Sequence, residues 1–317
     1  MLTSQPVGGG EAVETVAVIG AGMVGSMTAM RIAERQLADV ILVDIVEGMP
    51  QGKALDLMQA APLVGYDVDV MGTNDYADIE DASVVVIAAG VPRKPGMSRE
   101  ELVSVNSHIM KDVCTNVAEH SPDSIVMVVT NPLDVMVYAA NRYLDFGRHR
   151  VFGMGGMLDA ARFEYFVAES VGCSYPDVSA MVVGGHGAKM LPLPRYTTVR
   201  GIPLSQLLSS EDIEGLVRRT IEGGAEIVSL LKNGSAYYAP SAAITHMVDA
   251  IVRDRRCVVC ASVLLEGEYG IEGSCTGIPV VLGACGIEHI IELPLDDEEQ
   301  SRLKEAADEV VRLSASI

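Results

Sequence analysis

The chain has 317 residues, enough for two domains of roughly 150 residues each. Its 43 acidic and 23 basic side chains give a net charge of -20, a field that repels nucleic acid and anionic membrane surfaces. No apolar run approaches the roughly 20 residues of a membrane-spanning helix, so a soluble globular protein is expected, in which a site for any anion must carry its own cations.

The first thirteen residues read as a short flexible tail, with neither the basic start nor the apolar stretch of a secretory signal, so a cytoplasmic location is expected. Thr15–Ile19 (TVAVI) reads as a buried strand, followed by a helix from about Gly22 to Gln36. Between them stands Gly20-Ala21-Gly22-Met23-Val24-Gly25. A G-x-G-x-x-G turn that follows a strand and opens a helix is a strong dinucleotide signal, because the glycines allow a tight turn, backbone approach to a pyrophosphate and close helix–strand packing. Asp39–Val43 is the second strand and ends at Asp44, whose carboxylate would accept hydrogen bonds from a ribose and repel a 2′-phosphate. NAD is therefore the expected cofactor.

A helix from about Gly48 to Ala60 follows. Further strands are expected at Asp67–Met71, Ser83–Ala88, Ser124–Val129 and Val151–Gly153. Apolar strands alternating with helices predict a Rossmann-type, doubly wound parallel sheet over residues 14–154. After the fourth strand comes Gly90-Val-Pro-Arg93-Lys-Pro-Gly-Met-Ser-Arg99, a loop at the carboxyl edge of the sheet that could close as a lid. The fifth strand ends in Val129-Thr130-Asn131-Pro132, where Asn131 can donate to a substrate oxygen.

The second half reads as an α+β substrate-binding and catalytic domain over residues 155–317 with an antiparallel sheet. Leu158-Asp159-Ala-Ala-Arg162 lies in a helical pattern, with Asp159 and Arg162 on one face. Val178–Val183 is a strand that ends in Gly184-Gly-His186-Gly, a histidine held by backbone and open to a ligand. A hairpin edge around Arg195–Val199, helices Glu211–Leu231 and Ser241–Val252, strands Arg256–Leu265 and Pro279–Gly283, and an amphipathic helix Asp296–Leu313 complete the chain. Cys257 and Cys260 form a C-x-x-C inside an apolar run, read as core rather than as a metal or redox pair, and no metal site is expected. The segment Gly153-Met-Gly-Gly-Met is unusually glycine-rich and is expected to loosen the helix that carries Asp159.

The glycine turn, the PRKPGMSR loop, the VTNP strand end, the LDAAR helix and the GGHG turn, in this order, closely resemble the lactate/malate dehydrogenase family, and within it the malate enzymes of lactate-dehydrogenase-like type. The resemblance implies interconversion of a 2-hydroxy acid and its 2-oxo acid, with malate and oxaloacetate as the pair. It implies His186 as acid/base and Asp159 as its orienting partner. Arg162 would clamp the C1 carboxylate, Arg99 would polarise the C2 oxygen, and Arg93 would bind the second carboxylate, where lactate enzymes usually carry Gln. Asn131 would touch substrate and cofactor, and Asn106, with Val129 and Thr130, the cofactor. A homotetramer is implied, with a dimer as second choice. A lactate or other 2-hydroxy-acid dehydrogenase, or a catalytically silent NAD-binding protein, is the alternative.

Overall fold

The computed structural model describes residues 14–92, 96–232, 234–315 and 317; Arg93 lies outside the described residues. In chain order the elements are β1 (Thr15–Ile19), α1 (Met23–Glu34), β2 (Asp39–Val43), α2 (Met49–Val64), β3 (Val70–Thr73), β4 (Val84–Ile87), α3 (Arg99–His120), β5 (Ile125–Val128), α4 (Leu133–Tyr143) and β6 (Val151–Gly153). They continue with α5 (Gly156–Val171), β7 (Val178–Ser179), β8 (Val182–Gly184), β9 (Met190–Pro192), β10 (Thr198–Val199), β11 (Ile202–Pro203), α6 (Ser210–Leu231) and α7 (Tyr238–Val252). The long strands β12 (Cys257–Glu266) and β13 (Glu272–Gly283), then β14 (Gly286–Ile290) and α8 (Asp297–Ser314), close the chain.

The first six strands stand in the order β3-β2-β1-β4-β5-β6, all parallel. Parallel strands covered by helices on both faces must be apolar throughout, and β4 and β5 are buried at every residue. The strand order reverses between β1 and β4, and ligands of such sheets bind in the crevice at the carboxyl ends beside that reversal.

A small sheet of β11, β10 and β7 is antiparallel throughout, and the other antiparallel strands join the large sheet. They extend the parallel one: β12 pairs with β6 through Ser262 and Gly153, and β13, β8 and β9 follow. The expected strand Val178–Val183 is in fact two pieces. β7 belongs to a small sheet with β10 and β11, whereas β8 enters the large one, because Ala180 and Met181 between them leave the strand. The expected third strand shifts to Val70–Thr73. The helix α3 is absent from the expectations above, although Ser98-Arg-Glu-Glu101 forms a complete capping box at its start.

The glycine-rich stretch before Asp159 does not loosen α5. A Cβ on Gly156 would meet the Val182 carbonyl oxygen at 2.4 Å and the Cys260 Cβ at 2.7 Å. The glycines let α5 start against β8 and β12, which places Asp159 beside the turn after β8. Cys260 is buried there within β12. Gly156→Ala is therefore expected to lower stability by about 1–3 kcal/mol through overpacking. Gly52→Ala, at an open position in α2, is expected to be neutral or stabilising by roughly 0.5–1 kcal/mol. Urea midpoints of the two variants measure the difference.

Candidate active site

The glycine turn is built as its spacing predicts. Gly20 has φ +104°, and a Cβ there would lie 2.7 Å from the Ala89 nitrogen. A Cβ on Gly25 would lie 1.9 Å from the Gly20 carbonyl oxygen, so α1 can begin only over a residue without a side chain. Gly22, by contrast, faces open space, which leaves its backbone approachable by a phosphate at the start of α1. Met23 and Val24 form the first turn of that helix, with Met23 exposed. Asp44 stands at the end of β2, its Oδ2 accepting from the Ala21 N–H at 2.7 Å and its Oδ1 from the Val46 N–H at 3.0 Å. Each oxygen keeps a lone pair for a ribose hydroxyl. Lys53 of α2 donates to the Ala21 carbonyl and to Ser26 Oγ, a contact to this turn that the sequence did not announce. The residues present fit an unphosphorylated dinucleotide.

At the carboxyl end of the sheet the loop after β4 lies over the end of β5. Thr130 Oγ1 donates to the carbonyls of Ile87 and Ala89, and the Val129 N–H donates to Ile87. Asn106, 1 % exposed, brackets the two segments. Its Oδ1 accepts from the Val91 N–H at 2.9 Å, and its Nδ2 donates to the carbonyls of Val91 and Asn131, the latter at 2.6 Å. Both hydrogens of its amide are thus engaged within the protein. Asn131 is exposed and precedes a cis bond to Pro132.

A cavity of about 970 Å³ opens here, lined among others by Arg99, Asn131, His186, Lys189, Lys232 and Glu309. The field of the whole chain is acidic, so three cations on this wall answer the need for local positive charge. His186 is carried by the tight turn between β8 and β9, with 13 % of its side chain exposed. Its Nδ1 lies 2.9 Å from Asp159 Oδ2, and Asp159 Oδ1 accepts from Arg162 at 3.0 Å. The Asp159–Arg162 pair, i and i+3 on α5, is therefore no surface ion pair: 1 % and 13 % of the two side chains are exposed.

Arg162 does not line the cavity. Its guanidinium lies against Gly224 of α6, and its Nε is buried without a hydrogen-bond partner among the described residues. Arg99, at the first position of α3, pairs with Glu309 of α8, and both line the cavity. Burial by itself would push the His186 imidazole below its ordinary value. The charge and hydrogen bond of Asp159, followed by the charge of Asp134, outweigh that and leave its pKa raised.

Comparison with known proteins agrees with this geometry. Residues 14–153 match the model for the NAD-binding domain of lactate/malate dehydrogenases, and residues 156–313 match that for the α/β C-terminal domain of the same enzymes. The malate dehydrogenase of Methanosarcina mazei is 56 % identical over 295 residues, covering 93 % of this chain and 96 % of that protein. The malate dehydrogenase of Picrophilus torridus in its apo form superposes with a TM-score of 0.93 at 41 % identity, over 96 % of this chain and 97 % of that one. The lactate dehydrogenase of Cryptosporidium parvum, complexed with lactic acid and NAD, reaches the same TM-score at 40 % identity, over 96 % and 98 % of the two chains. Matched in both halves and sharing more than half its residues with such an enzyme, the chain belongs to the lactate/malate dehydrogenase family.

Proposed function

We infer that this chain is an NAD-dependent malate dehydrogenase, interconverting (S)-malate and oxaloacetate. The observation that carries the reading is the His186–Asp159 pair at the wall of a cation-bearing cavity, in a chain 56 % identical to a malate dehydrogenase. The glycine turn and Asp44 would hold the cofactor, with Val129, Thr130 and Asn131 at its nicotinamide end. Bound NAD supplies the acceptor for the hydride that leaves C2 of malate.

His186 supplies the proton chemistry. With its Nδ1–H donated to Asp159, the imidazole presents Nε2 to the substrate. Nε2 takes the proton of the C2 hydroxyl as the C2–H bond breaks and the C2=O bond forms. The imidazolium that results is stabilised by the Asp159 carboxylate, and in the reverse direction it returns the proton to the oxygen. Arg162 would take the C1 carboxylate once its guanidinium turns from Gly224 of α6 toward the cavity, where its unpartnered Nε would gain an acceptor. Arg99 would leave Glu309 and reach the C2 oxygen when the loop closes. Arg93 would hold the second carboxylate. Asn131 would donate to the substrate. The exposed Leu55, Leu63 and Val64 of α2 support a homotetramer, or else a dimer, through this helix, and a cytoplasmic location belongs to the same reading.

NADH oxidation with oxaloacetate and with pyruvate tests the substrate. Oxaloacetate is expected to turn over fast and pyruvate little; preference for pyruvate would move the chain to the lactate enzymes. Arg93→Gln is expected to lower kcat/KM for oxaloacetate by about a hundredfold or more, from one lost charge-assisted bond and one unpaired charge, with NADH binding unchanged. His186→Asn should bind NADH yet lose about 100- to 10,000-fold in kcat. Oxaloacetate reduction uses the protonated imidazole, so it should persist above the ordinary imidazole range and fall as pH rises through the raised pKa. Malate oxidation should rise through the same midpoint. Asp159→Asn should move both limbs to lower pH in profiles of kcat/KM.

A further inference from the structure

Next to His186 lies a second carboxylate that the reaction above does not use. Asp134 stands in the first turn of α4 and is 6 % exposed. Its Oδ2 accepts from the backbone N–H of His186 at 2.8 Å. Its Oδ1 accepts from the hydroxyl of Ser262 in β12 at 2.6 Å, and Ser262 is fully buried. Three segments of distant sequence meet at this one acid: the strand end that carries Asn131, the histidine turn, and the strand that joins the two halves of the sheet.

We propose that Asp134 is a positioning residue for the acid/base histidine: a second buried acid that ties the backbone of the Gly184–Gly187 turn to Ser262 of β12 and sets its carboxyl beside that turn. The proposal rests on the reading of His186 as the proton carrier of a malate dehydrogenase. A backbone N–H can only donate, so the oxygen that faces it must accept. The N-terminal turn of α4 adds the favourable end of the helix dipole to a carboxylate there. A buried carboxylate persists only where such partners answer it, and these partners lead directly to His186.

The surrounding charges define what Asp134 can do. From α5, Asp159 also favours the imidazolium, while the Arg162 guanidinium opposes it. On the histidine turn itself, Lys189 is tied to Glu305 of α8, and Arg99 of α3 to Glu309 of the same helix, so those charges are answered locally. Lys232, at the end of α6, faces the same cavity. From β13, burial holds the Cys275 thiol neutral, its pKa raised well above the ordinary range. Burial also raises the Asp134 carboxyl, against the hydrogen bond from Ser262 and the charge of His186, which lower it.

Asp134→Asn separates charge from shape. The amide oxygen can still accept from His186 N–H, and the NH₂ can donate to Ser262 Oγ after the hydroxyl turns. Removing the negative charge destabilises the imidazolium, so the midpoint of both pH limbs should fall by roughly half a unit to one unit. Reduction of oxaloacetate above that midpoint should drop several-fold, while malate oxidation on the acid side should rise. NADH affinity should not change. The same displacement should appear in the NMR titration of the His186 ring in the protein without substrate, with the resonance assigned by its loss in His186→Asn. Ser262→Ala removes a donor that favours the ionised Asp134 carboxyl, so the acid is more readily protonated and the titration should shift in the same direction by less; it carries the test if Asp134→Asn does not fold. An unchanged His186 titration in these variants overturns the proposal. A wild-type protein that does not reduce oxaloacetate would overturn the enzymatic reading instead, and the NMR titration would still decide the role of Asp134.

Discussion

Asp159 has almost no contact with solvent, and an ionised carboxylate in that position must be answered by protein groups. It is answered twice, by His186 on one oxygen and by Arg162 on the other. The geometry of the site depends on this sharing. It fixes which imidazole nitrogen faces the cavity, and it anchors the guanidinium proposed to hold the substrate carboxylate, so one buried charge orients both. Each partner alone would be a mobile side chain on a loop or a helix. Joined through Asp159 they form a rigid unit, which is what a hydride-transfer geometry requires.

That unit can exist only because the two halves of the chain come very close together. Parallel strands end at β6, antiparallel strands begin at β12, and a single residue pair joins them. Gly155 and Gly156 stand at this junction, where any side chain would collide with β12 or with β8. The tightness costs the freedom to vary those positions. In return, the start of α5 and the histidine turn are set by backbone packing rather than by flexible contacts. Ser262, on the strand of the junction, reaches Asp134, so the seam between the halves and the floor of the proposed proton carrier are the same few residues.

The electrostatics run against the overall charge. A chain with net charge -20 repels a dicarboxylate at long range, yet the cavity wall brings together Arg99, Lys189 and Lys232. Two of these cations are engaged by acids of α8, Arg99 by Glu309 and Lys189 by Glu305. A ligand anion must therefore compete with internal carboxylates for them, and the local field changes sign over a short distance.

Much of this was legible in the sequence. Strands such as TVAVI and DVILV stand where their unbroken apolar pattern put them, because a strand buried on both faces tolerates nothing else. The glycine turn and Asp44 were readable because their conformations demand particular residue types at fixed spacing. Asp159 and Arg162 were readable as one helix face. What the sequence by itself could not decide were contacts between residues distant in the chain. Asn106, which the resemblance places at the cofactor, donates its amide hydrogens to Val91 and Asn131, segments it meets only in the folded chain. The pairing of Arg99 with Glu309 of α8, 210 residues on in the chain, is another such contact. Asp134 carries no signal in the sequence, since an acid in the first turn of a helix is ordinary; only burial beside His186 and Ser262 makes it unusual. Local pattern records what a residue needs from its own backbone and solvent exposure, whereas the partner of a polar side chain is chosen by the packing of elements that meet only in the folded chain.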